Sequence, residues 1–509
     1  MLAKKETYLL LVGLCILVYA NSFNNQFVSD DLPAVINNPY ISNPLKWLLR
    51  PHDLFHSLCY LAGKFNPFLY HLVNIIFHAL NSILVYQLLK LFFKNPASIL
   101  GACLFAVHPI HTEAVTWISG RLYTITGSVI LICFHLYYKA TQNLQVHKKL
   151  NLKYFLACLL VYSYYIIHHF PFFFAFPLFL ILFDFTFSRL RKSWKWTLPF
   201  LGILVLRLIF AQGIITGRVL GVAKGMGGPL NLTNPIFNFA YSLFSHLGLL
   251  LWPAKLTIYH EPPIISLFAL RVELILLIIL AFSLPYIFRK SKEIFFAIGI
   301  FILFLIPTYS PVMVSWLVAE RYVYFSSVAL SIVLAFSYER FIEDKKKYNR
   351  LGLALILFII AAYAIRTVAR NEDWKDRATL WRSTARVSCN SPRAHNNMGD
   401  IYGQEGNIAG AISAFKRAIE LKPDYADAYH NLANTYHKIG RFDESIKFYK
   451  KSLEYNPELF ESYLNLGVIY LNQKEFKLAT EYFKKALEIK PEDINAKIGL
   501  NLALQNKQK

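Results

Sequence analysis

The sequence predicts an all-α protein: a helical core that crosses a membrane eleven times, followed by an α-solenoid of short helical repeats. Three observations predict it. Of 509 residues, 55% are hydrophobic and only 17% charged, too little charge to solvate the several domains a soluble chain of this length would form. The apolar excess ends near Arg370, and basic residues cluster between the apolar runs. Beyond about residue 390, side chains of one type recur at a fixed step of 34.

A net charge of +22 suits nucleic acid at first sight. Its placement argues for positive-inside membrane anchors instead. A helix needs roughly 20 apolar residues to cross a bilayer. Twelve runs qualify: 7–23, 68–92, 97–117, 120–138, 152–169, 171–187, 196–214, 237–253, 267–288, 293–309, 322–339 and 351–368. The basic clusters are Lys4/Lys5, Lys90/Lys94, Lys139/Lys148/Lys149/Lys153, Arg189/Arg191/Lys192/Lys195, Arg289/Lys290/Lys292 and Arg340/Lys345/Lys346/Lys347/Arg350. If all of them face the cytoplasm, the chain crosses an even number of times between neighbours. Only the interval from Lys195 to Arg289 breaks that rule, with three runs. Its weakest, 237–253, carries Asn238, Ser242, Ser245 and His246 and ends at Trp252-Pro253. It is expected to be an interfacial or re-entrant helix. Eleven spans remain, with the N-terminus inside and everything after about Arg370 outside. The basic start and apolar run to Tyr19 read as an uncleaved first span.

The C-terminal repeat defines the second part. Asn397, Asn431 and Asn465 are 34 apart, as are Tyr402, Tyr436 and Tyr470, and Pro423, Pro457 and Pro491. Small residues recur at Gly399/Ala433/Gly467 and aromatics at Phe415/Tyr449/Phe483. Small residues where two helices cross, aromatics filling the gap and a proline ending the second helix make the tetratricopeptide pattern. The expected domains are 1–370 in the membrane, 371–391 as linker and half-repeat, three repeats over 392–493, and a capping helix and tail over 494–509. Asn397, Asn431 and Asn465 share one repeat position. An amide ladder there can hold an extended peptide by its backbone; packing near the helix crossing is the alternative.

The parity count gathers unusual polar residues at the outer surface, where charge at membrane depth is costly and placed for a purpose. Asp30-Asp31 follows the first span after a few residues. Adjacent carboxylates can act as a general base, bind metal or cap a helix, and Asp before Leu32-Pro33 fits a helix start. His108, His111 and Glu113 lie close enough for a metal or a substrate site, but Pro109 breaks the spacing that zinc-binding helices use. A divalent metal is therefore not favoured, and no cofactor is assigned. Arg50 and Arg121, with Arg321 beside Glu320, suit a lipid-linked phosphate, against a purely structural Glu–Arg pair. No Walker or Rossmann glycine fingerprint supports nucleotide chemistry. The six cysteines show neither metal nor disulfide spacing.

These residues lie in stretches that resemble a known family. The stretches are Phe27-Val28-Ser29-Asp30-Asp31, Asn66 to Asn74, Phe105 to Val115, Leu250-Leu251-Trp252-Pro253, Val318 to Tyr324 and Asn371-Glu372-Asp373-Trp374-Lys375-Asp376. Across nearly the whole chain they resemble the transmembrane and tetratricopeptide-repeat-containing O-mannosyltransferases, of the GT-C class of integral membrane glycosyltransferases. The resemblance implies a polyprenyl-phosphate sugar donor, hydroxyl acceptors on proteins, eleven spans and external repeats. It places Asp30 and Asp31 where GT-C enzymes keep their catalytic carboxylate, with Glu113 as second acid, and matches Arg50-Pro51 to the family's Arg-Pro. The first external loop, about 24–66, is shorter than in the family. Where the family shows Ser-Lys-Glu, this chain has His169-Phe170-Pro171.

The expected protein moves a mannose-like hexose from a polyprenyl-phosphate carrier to a hydroxyl on an external protein or glycan. Asp30, Asp31 and Glu113 are the catalytic candidates. Arg50, Arg121 and Arg321 are the donor-phosphate candidates. His108, His111, Glu320, Asn397, Asn431 and Asn465 are the substrate-binding candidates. The short array and the lack of a retention-like ending point to the plasma membrane of a prokaryote. The alternative is an inactive membrane-anchored scaffold that binds peptides.

Overall fold

The structure is a computed structural model and describes residues 3–48, 50–144, 149–168, 173–225, 235–260, 267–309, 316–343 and 346–507. The readings made on Lys148, Lys345 and 169–171 lie outside the described residues. Among the described residues every regular element is helical. The chain divides into two units, Met1–Thr379 and Leu380–Lys509.

Among the described residues of the first unit five helices are long and apolar enough to cross a membrane: Pro67–Leu89, Ile118–Leu144, Leu190–Phe210, Arg271–Lys290 and Arg350–Trp374. Two bent pairs, Asn95–Val107 with Pro109–Val115 and Glu320–Ser326 with Val328–Phe341, raise the number to seven. The solvent for these helices is lipid. Arg271–Lys290 has the second-highest hydropathy of the five and no buried residue in its apolar window. It exposes Ile275, Ile278, Ile279, Phe282 and Tyr286, a face that water would not support.

The eleven crossings expected from sequence are thus five to seven by length and composition. Helices stand at the other expected positions, but Lys4–Tyr19 has 16 residues, Leu152–His168 has 17, Phe176–Thr186 has 11 and Lys292–Phe304 has 13. At 1.5 Å per residue these reach roughly 16–26 Å, short of a 30 Å hydrocarbon core. The run 237–253, expected to be an interfacial or re-entrant helix, forms the helix Pro235–Leu251, which is not among the candidate spans. Its Asn238, Ser242 and His246 are buried against protein: Ser242 Oγ lies 2.6 Å from Thr308 Oγ1, and His246 Nε2 accepts from the Ala319 amide.

The break in the 95–115 pair has a local cause. Pro109 cannot donate to the helical ladder and frees carbonyls just before it. In an apolar interior each freed carbonyl needs a new donor. His78 Nε2 lies 3.0 Å from the Ala106 carbonyl, and Thr367 Oγ1 donates to the Val107 carbonyl at 2.6 Å. His78 belongs to the helix Pro67–Leu89, whose polar side chains form a hub. Asn74 Nδ2 donates to the carbonyls of Val115 and Trp117, and Asn81 Nδ2 donates to the Thr124 carbonyl and Tyr324 Oη. The short turns 109–120 and 319–327, which carry most of the external polar residues, are hung on this one helix.

The second unit holds helix pairs with 34-residue periodicity: Pro392–Gln404 with Ile408–Leu421, Ala426–Lys438 with Phe442–Tyr455, and Phe460–Asn472 with Phe476–Ile489, then the helix Ile494–Lys507. Pro423, Pro457 and Pro491 each stand two residues past a second helix. The recurring small residues have a steric reason. A Cβ on Gly399 would stand 2.5 Å from the Phe415 ring, and one on Gly467 would stand 2.7 Å from the Phe483 ring. Helices Arg377–Val387 and Ile494–Lys507 flank the three pairs, with Leu380 and Trp381 buried in the first.

Candidate functional site

Asp30 and Asp31 lie just before a short helical turn, Leu32–Ile36. Neighbours in sequence, they differ in environment. Asp30 is exposed and Asp31 is fully buried. The Asp31 carboxylate accepts from the Val28 amide at 3.0 Å, from the Ser119 amide at 2.8 Å and from Ser119 Oγ at 2.5 Å. It therefore ties the loop after the first helix to the turn 116–120. Burial pushes its pKa up to about 7, against the three hydrogen bonds, and the Asp30 charge adds to the rise. Ser29 has φ +53, so the chain kinks immediately before the pair. The clamped Asp31 leaves Asp30 presented at the surface on a fixed backbone.

Glu113 and Arg321 were both chosen from sequence, and the fold brings them together. Arg321 Nη1 pairs with Glu113 Oε1, and the Arg321 amide donates to Glu113 Oε2 at 2.8 Å. Glu113 is fully enclosed, while the Arg321 side chain keeps about 10% of its surface exposed and lies over the rings of Trp117 and Tyr322. The adjacent Glu320 is also enclosed. Its Oε1 accepts from the Thr257 amide, lies 3.3 Å from Arg370 Nη2 and 3.5 Å from His260 Nε2. Arg370 Nη1 also reaches Asp373 at 2.7 Å. Glu113 and Glu320 are thus each paired with a guanidinium in the interior, and Arg370 also meets Asp373. That balance is what keeps charges tolerable away from water, because a lone buried ion is far costlier than a paired one.

Arg121 departs from its expected role. It is fully buried. Its Nε donates to Asn74 Oδ1 at 2.8 Å, Nη2 to the Tyr70 carbonyl at 2.8 Å, and Nη1 to His56 Nδ1 at 3.3 Å. A guanidinium spent on internal acceptors has no edge left for a phosphate. Arg50 is the opposite case: it is exposed, at the N-cap of the amphipathic helix Pro51–Gly63. Burial, then the charges of Arg50 and Arg121, hold His52 down at about 4, and its Nε2 lies 3.3 Å from Asp53 Oδ2. His108 and His111 are buried and serve the fold. His108 Nδ1 accepts from the Ile110 amide and Nε2 meets the Leu250 carbonyl at 3.0 Å, while His111 Nε2 meets Ser327 Oγ at 2.8 Å. Among the described residues no three His, Cys, Asp or Glu side chains converge where a metal ion could sit.

In the array, a cavity of about 410 Å³ is lined by Gly399, Asp400, Asn431, Asn434, Lys438 and Asn465, among others. Asn397 is not among its lining residues. The amides are already linked in part: Asn465 Nδ2 donates to Asn434 Oδ1 and to Tyr449 Oη, and Asn431 Nδ2 donates to Asn396 Oδ1. Each amide retains hydrogen-bonding capacity beyond these bonds.

The models of the TPR repeat and the tetratricopeptide repeat match residues 399–440 and 424–492. Over 478 residues the chain is 28% identical to protein O-mannosyl-transferase TMTC3 of Homo sapiens, covering 82% of this chain and 51% of that protein. Its homologues are protein O-mannosyl-transferases. They include F38B6.6 of Caenorhabditis elegans, 25% identical over 82% of this chain and 63% of that protein. A third, TMTC1 of Homo sapiens, is 38% identical over 149 residues, which is 25% of this chain and 17% of that protein. The chain spans about half the length of the curated relatives it first matches.

Several partners in this site carry little or no signal in the sequence. Ser119, which holds Asp31, carries no motif of its own. Arg370, which the sequence marks only as the end of the apolar excess, is 1% exposed and neutralises Glu320. Asn371 and Trp374 stand in the quoted stretch 371–376, which was the available signal. Trp374 stacks on Trp117 with centroids 5.9 Å apart.

Proposed function

We propose that this protein is a GT-C-type membrane glycosyltransferase. It moves a mannose-like hexose from a polyprenyl-phosphate carrier to a hydroxyl on an externally exposed protein or glycan, and the repeat array holds the acceptor. The acceptor oxygen bonds to the anomeric carbon as the carbon–phosphate-oxygen bond breaks. A carboxylate takes the hydroxyl proton and polyprenyl phosphate leaves. The observation that carries the reading is the split between the two aspartates: Asp31 is consumed in clamping the loop, and Asp30 stays exposed on a backbone that cannot drift. Asp30 is therefore the base and Asp31 the residue that positions it.

Arg50 and Arg321 are the proposed phosphate ligands, because each keeps surface outside its internal contacts. Charge grows on the leaving phosphate in the transition state, where fixed cations act most strongly. Glu113 holds Arg321, and Arg121, His108, His111 and Glu320 hold the turns. Asn431 and Asn465 face the acceptor groove. Eleven crossings with the array outside, in a prokaryotic plasma membrane, remain the sequence's expectation. The short apolar helices support that count where packed neighbours and local bilayer thinning shorten the path.

The test is transfer from purified polyprenyl-phosphate mannose to a hydroxyl peptide, with wild type and single variants in lipid nanodiscs. Asp30→Asn is expected to lose about 10²–10⁴-fold in rate, with donor affinity little changed. Wild-type activity in Asp30→Asn removes this carboxylate from the mechanism. No turnover by the wild type with any polyprenyl-phosphate hexose favours the peptide-binding scaffold instead.

A further inference from the structure

The segment that leaves the last apolar helix, Arg370–Lys375, bonds to every wall of the site. Asn371 is fully buried. Its Nδ2 donates to the Val18 carbonyl and to Asn21 Oδ1, both at 2.8 Å. Its Oδ1 accepts from Thr116 Oγ1 at 2.7 Å, and its carbonyl accepts from Asn25 Nδ2 at 3.0 Å. Glu372 accepts from Asn21 Nδ2 at 2.9 Å, and the Lys375 carbonyl accepts from the Gln26 amide at 2.8 Å. Trp374 stacks on Trp117, and Arg370 pairs with Glu320.

We propose that Arg370–Lys375 is a positioning element of the site, with Asn371 as its central residue: it sets the loop that carries Asp30 and Asp31 against the turn that carries Ser119. The two segments it joins are far apart in sequence, and His71 Nε2 adds a contact of 3.0 Å to the Asn25 carbonyl from another helix. Residues 18–26 lead directly into Asp30. Thr116 stands three residues before Ser119, whose amide and hydroxyl hold Asp31. A shift of either segment lengthens the 2.5 and 2.8 Å bonds at Asp31 and lets Asp30 move. Asn is suited to this post. It offers two N–H donors and an acceptor on one short, stiff arm, so it meets two carbonyl-type acceptors and one hydroxyl at once. Aspartate keeps the acceptor and loses both donors. Alanine loses all three and leaves the Val18 carbonyl, the Asn21 carboxamide oxygen and the Thr116 hydroxyl short of a partner in a buried place. From the opposite side Asn74 grips the same turn through the Val115 and Trp117 carbonyls, so the turn is held between two asparagines.

The consequence for the reaction rests on reading Asp30 as the base. The structural claim does not, and the experiment separates them. Full-length protein in nanodiscs is compared as wild type, Asn371→Asp and Thr116→Val by hydrogen exchange and by mannosyl transfer. Thr116→Val keeps shape and removes a single bond, and so guards against a variant that fails to fold. Both variants are expected to speed exchange about tenfold at the amides of 27–32 and 116–120, with exchange in the repeat helices 392–489 unchanged. Transfer is expected to fall with donor KM held and kcat reduced. Unchanged exchange in both loops overturns the proposal. Faster exchange confined to those loops with full transfer activity upholds the positioning role and overturns Asp30 as the base.

Discussion

The two units of the chain treat charge in opposite ways. In Met1–Thr379 the ion pairs Glu113–Arg321, Glu320–Arg370 and Asp184–Arg189 are enclosed, and each carboxylate has several donors. In Leu380–Lys509 the pairs Arg417–Glu420, Lys485–Glu481 and Lys490–Glu461 lie on the surface. Lipid accounts for the difference. A unit whose outside is apolar must put its polar residues inside, where each needs full satisfaction. The array's outside is water, and its inside is built from aromatics against small residues. Polar side chains in the first unit are thus architecture, and in the second they are mostly solvation. That also explains why so many of the residues picked as chemical in the first unit serve the fold.

The comparison breaks or sharpens at particular residues. The largest effect on stability is expected at Glu113→Gln, which strands Arg321 in an enclosed site. Breaking a buried pair on one side costs about 3–5 kcal/mol, read as an earlier thermal midpoint of the membrane unit in nanodiscs. A midpoint equal to wild type would mean that water reaches the pair. Next is Gly399→Leu. The new side chain enters the space of the Phe415 ring, and overpacking costs about 1–3 kcal/mol, read from the far-ultraviolet melt of the array while the membrane unit holds. Smaller is the pH dependence at Asp31. Its folded pKa, about 7, lies above the unfolded value near 3.8, so the folded state binds the extra proton between those limits. Its contribution is complete below about pH 4 and is lost as pH rises to about 7. Asp31→Asn is expected to flatten the pH dependence of the thermal midpoint in that window, and an unchanged slope would refute the assignment. The smallest effect is at Lys490→Ala. The pair with Glu461 is half exposed on both sides, and a midpoint within error of wild type is expected.

The array was legible because its information is local: a 34-residue register places Asn, Tyr and Pro, and neighbouring helices supply each other's partners. The membrane unit was legible only in part. Glu113, Arg321 and Glu320 could be picked out because charge in an apolar chain is conspicuous. Their partners could not, since Arg370 stands only at the end of the apolar part, and Ser119 and Thr116 are ordinary residues. Pairing across hundreds of residues leaves no periodic trace. The crossing number differs because runs such as 152–169, 171–187 and 293–309 form helices of only 17, 11 and 13 residues, and hydropathy alone does not mark where those helices stop. The choice between Asp30 and Asp31 needed Ser119, 88 residues from Asp31.

Asn371 carries a consequence for biosynthesis. The loop with the two aspartates leaves the ribosome before the segment that fixes it. The asparagine that fixes it follows about 350 residues later, at the end of the last apolar helix. At about 5–20 residues per second the delay is roughly 20–70 s. During that time the 18–26 segment lacks Asn371 and Glu372, whereas Asp31 already has Ser119. A product truncated or stalled before Asn371 therefore carries the aspartates without the residue that fixes their loop.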